Sequence, residues 1–188
     1  MKETIRTFIA IKIIPGGKLI DLITNLKKSL AGEEIRWVDF DNLHLTLRFL
    51  GETNQFQVAE ITKMLETISK QFQPFQFELK GVSIFKRKIQ PRVLFVSVEN
   101  DMVLKQLSAD ILEISKTLGF KMEENMFNPH LTLGRIKFIQ DKEAFYSLVN
   151  KFQGMNFQQV FVSEIIFYQS ILGSDGPTYK PIKIFNLN

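Results

Sequence analysis

The chain has 188 residues, enough for one domain with a sizeable core or for two small fused lobes. It contains no cysteine, which excludes disulfides and thiolate metal sites and makes a reducing cytoplasm the simplest setting. A net charge of +4 and a pI near 9.2 lean toward anionic partners without establishing one.

Met1-Lys2-Glu3-Thr4 lacks the apolar stretch and cleavage site of a signal peptide, and no apolar run approaches the roughly 18 residues of a membrane helix. A strand is predicted over Arg6-Thr7-Phe8-Ile9-Ala10-Ile11. Pro15-Gly16-Gly17-Lys18 lacks the spacing of a phosphate-binding loop and reads as a helix start. Leu19, Leu22, Leu26 and Leu30 then fall on one helical stripe. A short strand opens at His44, and Val58, Ile61, Leu65, Ile68 and Phe72 mark a second helix. Strand-like sequence follows from Phe75 to Ile84, and the basic run Phe85-Lys86-Arg87-Lys88 reads as a charged exposed loop, with contact to an RNA backbone as the alternative.

The same order then recurs. Arg92-Val93-Leu94-Phe95-Val96-Ser97 stands 86 residues after the first strand, and both begin with arginine. Leu104, Leu107, Ile111, Ile114 and Leu118 form a helix behind Asp101. A strand opens at His130, and Phe145, Leu148 and Phe152 mark a helix behind Asp141. Val160 to Tyr168 is strand-like, residues 170–178 read as a turn-rich loop, and a last strand is placed near Tyr179 to Phe185. Two repeats, about 1–88 and 89–188, thus share the order strand, helix, His-strand, helix, strand. The expected fold is α+β and bilobal, a pseudo-two-fold duplication within one domain. Each lobe is a mostly antiparallel sheet with helices on its outer face, and a groove runs between the lobes.

Both histidines of the chain open the same phrase. His44-Leu45-Thr46-Leu47 and His130-Leu131-Thr132-Leu133 share the pattern His-x-Thr-x, 86 residues apart. Alternation puts His and Thr on one strand face and the leucines on the other, toward the helices. Imidazole is the one unperturbed side chain that both takes and gives a proton near pH 7. Two of them flanking a phosphodiester can serve as general base and general acid, while the threonine hydroxyls donate to the phosphate oxygens. No cofactor is expected, and two histidines without convergent carboxylates make a poor metal site.

These residues carry a resemblance. The paired motifs resemble those of the two-histidine phosphoesterase superfamily. The flanks narrow the match: Arg6 to Ile11, Asn42-Leu43-His44 through Gly51-Glu52, Pro91-Arg92-Val93-Leu94-Phe95, Pro129-His130 through Arg135, and Gly176-Pro177-Thr178-Tyr179. Together they are similar to the bacterial and archaeal RNA 2′,3′-cyclic phosphodiesterases, the LigT or ThpR family, over nearly the whole chain. The resemblance implies metal-free hydrolysis of a 2′,3′-cyclic phosphate at an RNA end to a 2′-phosphate. It makes His44 the proton donor and His130 the proton acceptor, roles that the near-symmetric motifs do not themselves assign. It implies RNA ends or oligonucleotides as partners and no membrane; a cytoplasmic monomer is expected. Same-site alternatives are a 2′–5′ RNA ligase or a phosphodiesterase for a small cyclic phosphate. The alternative of another class is an RNA- or nucleotide-binding module without turnover.

Candidate substrate contacts follow. Thr46 and Thr132 are assigned to the phosphate. Arg135 matches a family arginine, although strict alternation would turn it to the leucine face unless the strand bulges near Gly134. Arg48 falls by alternation on the His44 face, as substrate contact or solvated charge. Arg6 and Arg92 hold equivalent repeat positions bordering the groove. Phe8 would stack on a base or pack in the core, and Tyr179 lines the site or is a strand-edge aromatic.

Overall fold

The computed structural model describes residues 4–120, 127–173 and 176–188. Among these are nine strands and four helices. In chain order they are β1 (Thr4–Lys12), α1 (Gly17–Ser29), β2 (Glu34–Trp37), β3 (His44–Asn54), α2 (Gln55–Ser69), β4 (Phe75–Arg87), β5 (Gln90–Glu99), α3 (Met102–Thr117), β6 (His130–Phe138), α4 (Lys142–Lys151), β7 (Asn156–Val162), β8 (Glu164–Leu172) and β9 (Pro177–Asn186). Two antiparallel sheets result, ordered β3-β1-β8-β9 and β2-β6-β5-β4-β7.

Local sequence explains most of these boundaries. The side chain of Asp141 accepts from the Ala144 N–H, and Asn54 and Gln57 form a reciprocal capping box at α2. Gly16 opens α1 as its N-cap; its N–H donates to Gln158 Oε1 and its carbonyl accepts from the Leu19 N–H. The expected run Val160 to Tyr168 is two strands, because the chain leaves the second sheet at Ser163 and enters the first at Glu164. The expected loop is shorter: Ser170 to Leu172 belong to β8 and Pro177 and Thr178 to β9, while Ser174 and Asp175 lie outside the described residues. The short β2 and the single turn of 3-10 helix at Phe40–Asn42 have too few residues to carry a periodicity, and the sequence pattern does not reveal them.

The lobes are not the sequence halves. β4, from the first repeat, pairs with β5 and β7, and β8, from the second, pairs with β1. Helices follow the same exchange: α2 and α3 pack near β3, whereas α1 meets β7 and α4 meets β4. Each half thus completes the other's sheet. Leu45, Leu47, Leu131 and Leu133 are all buried in the main core with the helix stripes.

Both motif strands bulge at the same place. Along β3, Thr46 pairs with Ala10 and Arg48 with Ile9, leaving Leu47 as the extra residue. Along β6, Thr132 pairs with Phe95 and Gly134 with Leu94, leaving Leu133 extra. A bulge reverses the parity of every later side chain. The carbonyl freed at each bulge is satisfied: Leu47 O accepts from the Ser108 hydroxyl at 3.0 Å and Leu133 O from the Val38 N–H at 2.9 Å.

The bulges also explain why Arg48 and Gly134 differ. β3 is an edge strand, whereas β6 has β2 on its far side. A Cβ on Gly134 would stand 2.7 Å from Ile35 Cγ2, the rigid branch of a neighbour packed on the core. Gly134→Ala should therefore cost about 1–3 kcal/mol in overpacking, measured as a drop in the denaturant midpoint; a midpoint equal to wild type would contradict this account.

Candidate active site

The two histidines are held alike. His44 Nδ1 lies 2.7 Å from the carbonyl oxygen of Asn42, and His130 Nδ1 lies 2.8 Å from that of Asn128. A carbonyl only accepts, so each Nδ1 carries the proton and each Nε2 is left to take or give one. These carbonyls stand two residues before their histidines, so the extended strand entry itself fixes each tautomer. Asn42 also reaches the β9 entry, its side-chain amide donating to Pro177 O at 3.4 Å.

Aromatic rings wall both imidazoles. Phe8 and Tyr179 lie against His44 with centroids 5.1 and 4.9 Å away. Phe85 and Phe95 hold His130 at 4.8 and 5.3 Å. Within this wall both imidazole pKa values fall below their ordinary value. Burial is the main cause for each, the backbone hydrogen bond opposes it, and the Arg135 charge lowers both further. The His130 charge adds to the depression at His44. β3 and β6 run close to one another, and Arg135 acts on both rings, so the structure brings His44, His130 and Arg135 to one groove.

Thr46 and Thr132 are half-buried and lie opposite Ala10 and Phe95, residues of the groove face. Neither hydroxyl has a hydrogen-bond partner among the described residues. Arg135 is exposed and past the bulge, which returns it from the leucine face to the histidine face. Tyr179 lies against His44, sharing with it, Asn42, Asp41 and Lys12 a cavity of about 110 Å³. Burial raises the Tyr179 phenol pKa against the lowering charges of Arg135, Arg6 and Arg36.

Arg48 and Arg92 are placed elsewhere, and Phe8 packs rather than facing a base. Arg48 is only 4% exposed and pairs with Ile9 of the main core, because the Leu47 bulge turns it off the histidine face. Phe8 does lie on the groove face, but it is 1% exposed beneath His44, Phe49, Tyr168 and Tyr179. It supports the site's rings and has no face to offer a base.

Arg92 fails through a one-residue slip. Lys12 pairs with His44 and Ser97 with His130, so β1 and β5 correspond at 85 residues, not the 86 of the histidines. Arg92 thereby matches Thr7 rather than Arg6; it is the extra residue where Val93 pairs with Phe85 and Pro91 with Lys86, and it donates to Gln90 Oε1 at 2.9 Å. Arg6 keeps the parity of Phe8 and Ala10.

The same parity reveals a residue that sequence reasoning missed. Phe49 holds the place in β3 that Arg135 holds in β6, lies opposite Phe8 and is 46% exposed. Phe85 and Phe95 were also missed. Phe85 opens the basic run expected as a loop, whereas β4 continues through it to Arg87; nothing in its own segment sets Phe95 apart from an ordinary strand residue.

Among the described residues there is no cluster of three or more His, Cys, Asp or Glu side chains that could hold a metal ion, and no helix is long and apolar enough to cross a membrane. Two apposed imidazoles with one shared guanidinium, carried on facing strands of two sheets, are the apparatus of a paired-histidine phosphoesterase.

Comparison with known proteins gives the family. The family model described as LigT like Phosphoesterase matches the chain twice in tandem, over residues 13–95 and 96–179. The chain belongs to the LigT-like phosphoesterases. It is 37% identical over 179 residues to a Thermotoga maritima protein described as RNA 2′,3′-cyclic phosphodiesterase, covering 93% of this chain and 91% of that one. An Archaeoglobus fulgidus protein of the same description is 32% identical over 181 residues, 96% of this chain and 99% of its own length. The crystal structure of Escherichia coli LigT complexed with 3′-AMP superposes with a TM-score of 0.76 at 27% identity, covering 99% of both chains.

Proposed function

We propose that this protein hydrolyses the 2′,3′-cyclic phosphate at an RNA end to a 2′-phosphomonoester. The observation that carries this is the mirrored pair of imidazoles, each with Nδ1 committed to a backbone carbonyl and Nε2 left for chemistry, under one arginine. The relatives described as RNA 2′,3′-cyclic phosphodiesterases and the 3′-AMP bound by LigT support the substrate class.

In this mechanism His130 Nε2 takes a proton from water as its oxygen bonds to phosphorus. Protonated His44 gives its Nε2 proton to the departing 3′ oxygen, and the P–O3′ bond breaks. The product is a 2′-phosphate beside a free 3′-hydroxyl. Assignment of the donor to His44 follows the family resemblance of the first motif. Thr46, Thr132 and Arg135 hold the non-bridging oxygens, where the guanidinium offsets the gathering negative charge. Neither a metal nor a covalent enzyme intermediate is used. The cysteine-free chain acts as a monomer in a reducing cytoplasm.

The test is incubation with an oligonucleotide ending in a 2′,3′-cyclic phosphate, with and without EDTA, followed by product identification. A 2′-phosphate formed at equal rates in both supports the proposal. A 3′-phosphate reverses the bond cleaved, and loss of activity in EDTA restored by added metal overturns the metal-free mechanism.

A further inference from the structure

The groove carries an arginine that the reaction above does not use. β2 lies antiparallel to β6 with Arg36 directly opposite Arg135. Residues so paired share a face, with Cβ atoms about 4.5–5.5 Å apart, and like charges there repel. The neighbours of Arg36 on β2, Ile35 and Trp37, pack against the main core, so Arg36 projects to the groove with Arg135. It reaches across toward the other lobe, its Nη2 lying 2.8 Å from the place a Cβ on Gly176 would take, just before β9. Arg6, on the groove face of β1, joins them: all three guanidinium groups act on the phenol of Tyr179, pulling its pKa down against the larger, raising effect of burial. Among the described residues no carboxylate lies within ion-pair distance of Arg36 or Arg135. Such a concentration of like charge is unfavourable for the protein alone and becomes favourable against a polyanion.

A mononucleoside 2′,3′-cyclic phosphate presents one phosphate. An RNA end presents two: the cyclic phosphate and the phosphodiester on the 5′ side of the same nucleotide. One guanidinium fork serves one phosphate, and the arginine beside the histidines is Arg135. We propose that Arg36 anchors a second phosphate subsite, which takes the phosphodiester 5′ to the terminal nucleotide while Arg135 takes the scissile group. This rests on the proposed hydrolysis and names its substrate as a chain end rather than a free nucleotide. Arg36 confers selectivity through binding, so its effect falls on KM and leaves the chemical step alone.

The test compares wild type with Arg36→Gln and Arg36→Lys on uridine 2′,3′-cyclic phosphate and on the dinucleotide UpU with the same cyclic end. Thermal melting checks that each variant is folded. Wild type should favour the dinucleotide in kcat/KM. Arg36→Gln should lower that preference by about tenfold or more, as expected for losing hydrogen bonds to a charged group, through KM with kcat little changed. Arg36→Lys, which keeps the charge but not the fork, should fall between. An unchanged preference in Arg36→Gln, or an equal loss on both substrates, overturns the subsite.

Calorimetric binding separates failure of the subsite from failure of the reaction. Uridine 2′,5′-bisphosphate should bind wild type more tightly than uridine 2′-phosphate, and Arg36→Gln should lose the difference. If neither cyclic phosphate is hydrolysed but this pattern holds, the proposed reaction fails and the subsite stands. If wild type gains nothing from the 5′-phosphate, the subsite fails.

Discussion

Replacing either His44 or His130 by alanine should lower hydrolysis of a 2′,3′-cyclic phosphate by about 10²- to 10⁴-fold, with little change in melting temperature. Both rings sit on the groove face and make one backbone hydrogen bond each, so their removal leaves the leucine core untouched. The two act as one unit in a single proton-transfer step, so the double variant should be little worse than either single one. Full activity in either single variant would end the paired mechanism. The pH dependence follows from the same geometry. Turnover needs one imidazole protonated and the other neutral. Burial, then the Arg135 charge, hold both below the ordinary value of about 6.5. In the free enzyme the proton on the acid is therefore lost on the acid side of neutrality, and kcat/KM should decline as pH rises past about 6.5. An anionic substrate raises both values, so the decline in kcat should lie at higher pH than the decline in kcat/KM. A kcat/KM optimum above about pH 8 would contradict this electrostatic description.

Arg135→Ala should be the most damaging change outside the histidines, about 10²- to 10³-fold in kcat. It carries a signature that a structural role would not produce. Loss of the guanidinium removes a charge that lowers both imidazole pKa values, so the alkaline limb of kcat/KM should move to higher pH as the rate falls. Arg135→Lys keeps a point charge without the fork; it should hold the limb near its wild-type position and restore part of the rate. A large loss of rate with no movement of the limb would place Arg135 outside electrostatic reach of the pair.

Much of this was legible in the sequence. The histidine pair, the leucine face and the helix stripes follow from alternation and 3.6-residue spacing, which backbone geometry enforces locally. Arg48 and Arg92 are misplaced for one cause. Register is a long-range property, and one inserted residue reverses the face of everything beyond it. Leu47 and Leu133 each insert one, which removes Arg48 from the groove and admits Phe49 and Arg135. The slip between β1 and β5 likewise separates Arg6 from Arg92, although both begin similar segments. Arg36 was hidden because β2 is four residues long and takes its meaning only from its neighbour β6. The exchange of β4 and β8 between lobes was invisible for the same reason, since strand pairing is not encoded within either repeat.

That exchange has a consequence for how the enzyme comes into being. β1 hydrogen-bonds to β8, and β8 to β9, so the sheet bearing His44 is finished only by segments that follow both histidine motifs in the chain. Until Glu164 and the residues beyond it emerge, β1 presents a bare edge, apolar on both faces, of the kind that invites aggregation. Tyr179 arrives only with the closing hairpin. A nascent chain therefore carries both histidine motifs before it carries a complete groove, and premature termination in the final strands would remove Tyr179 and the neighbours of β1 while leaving both motifs intact.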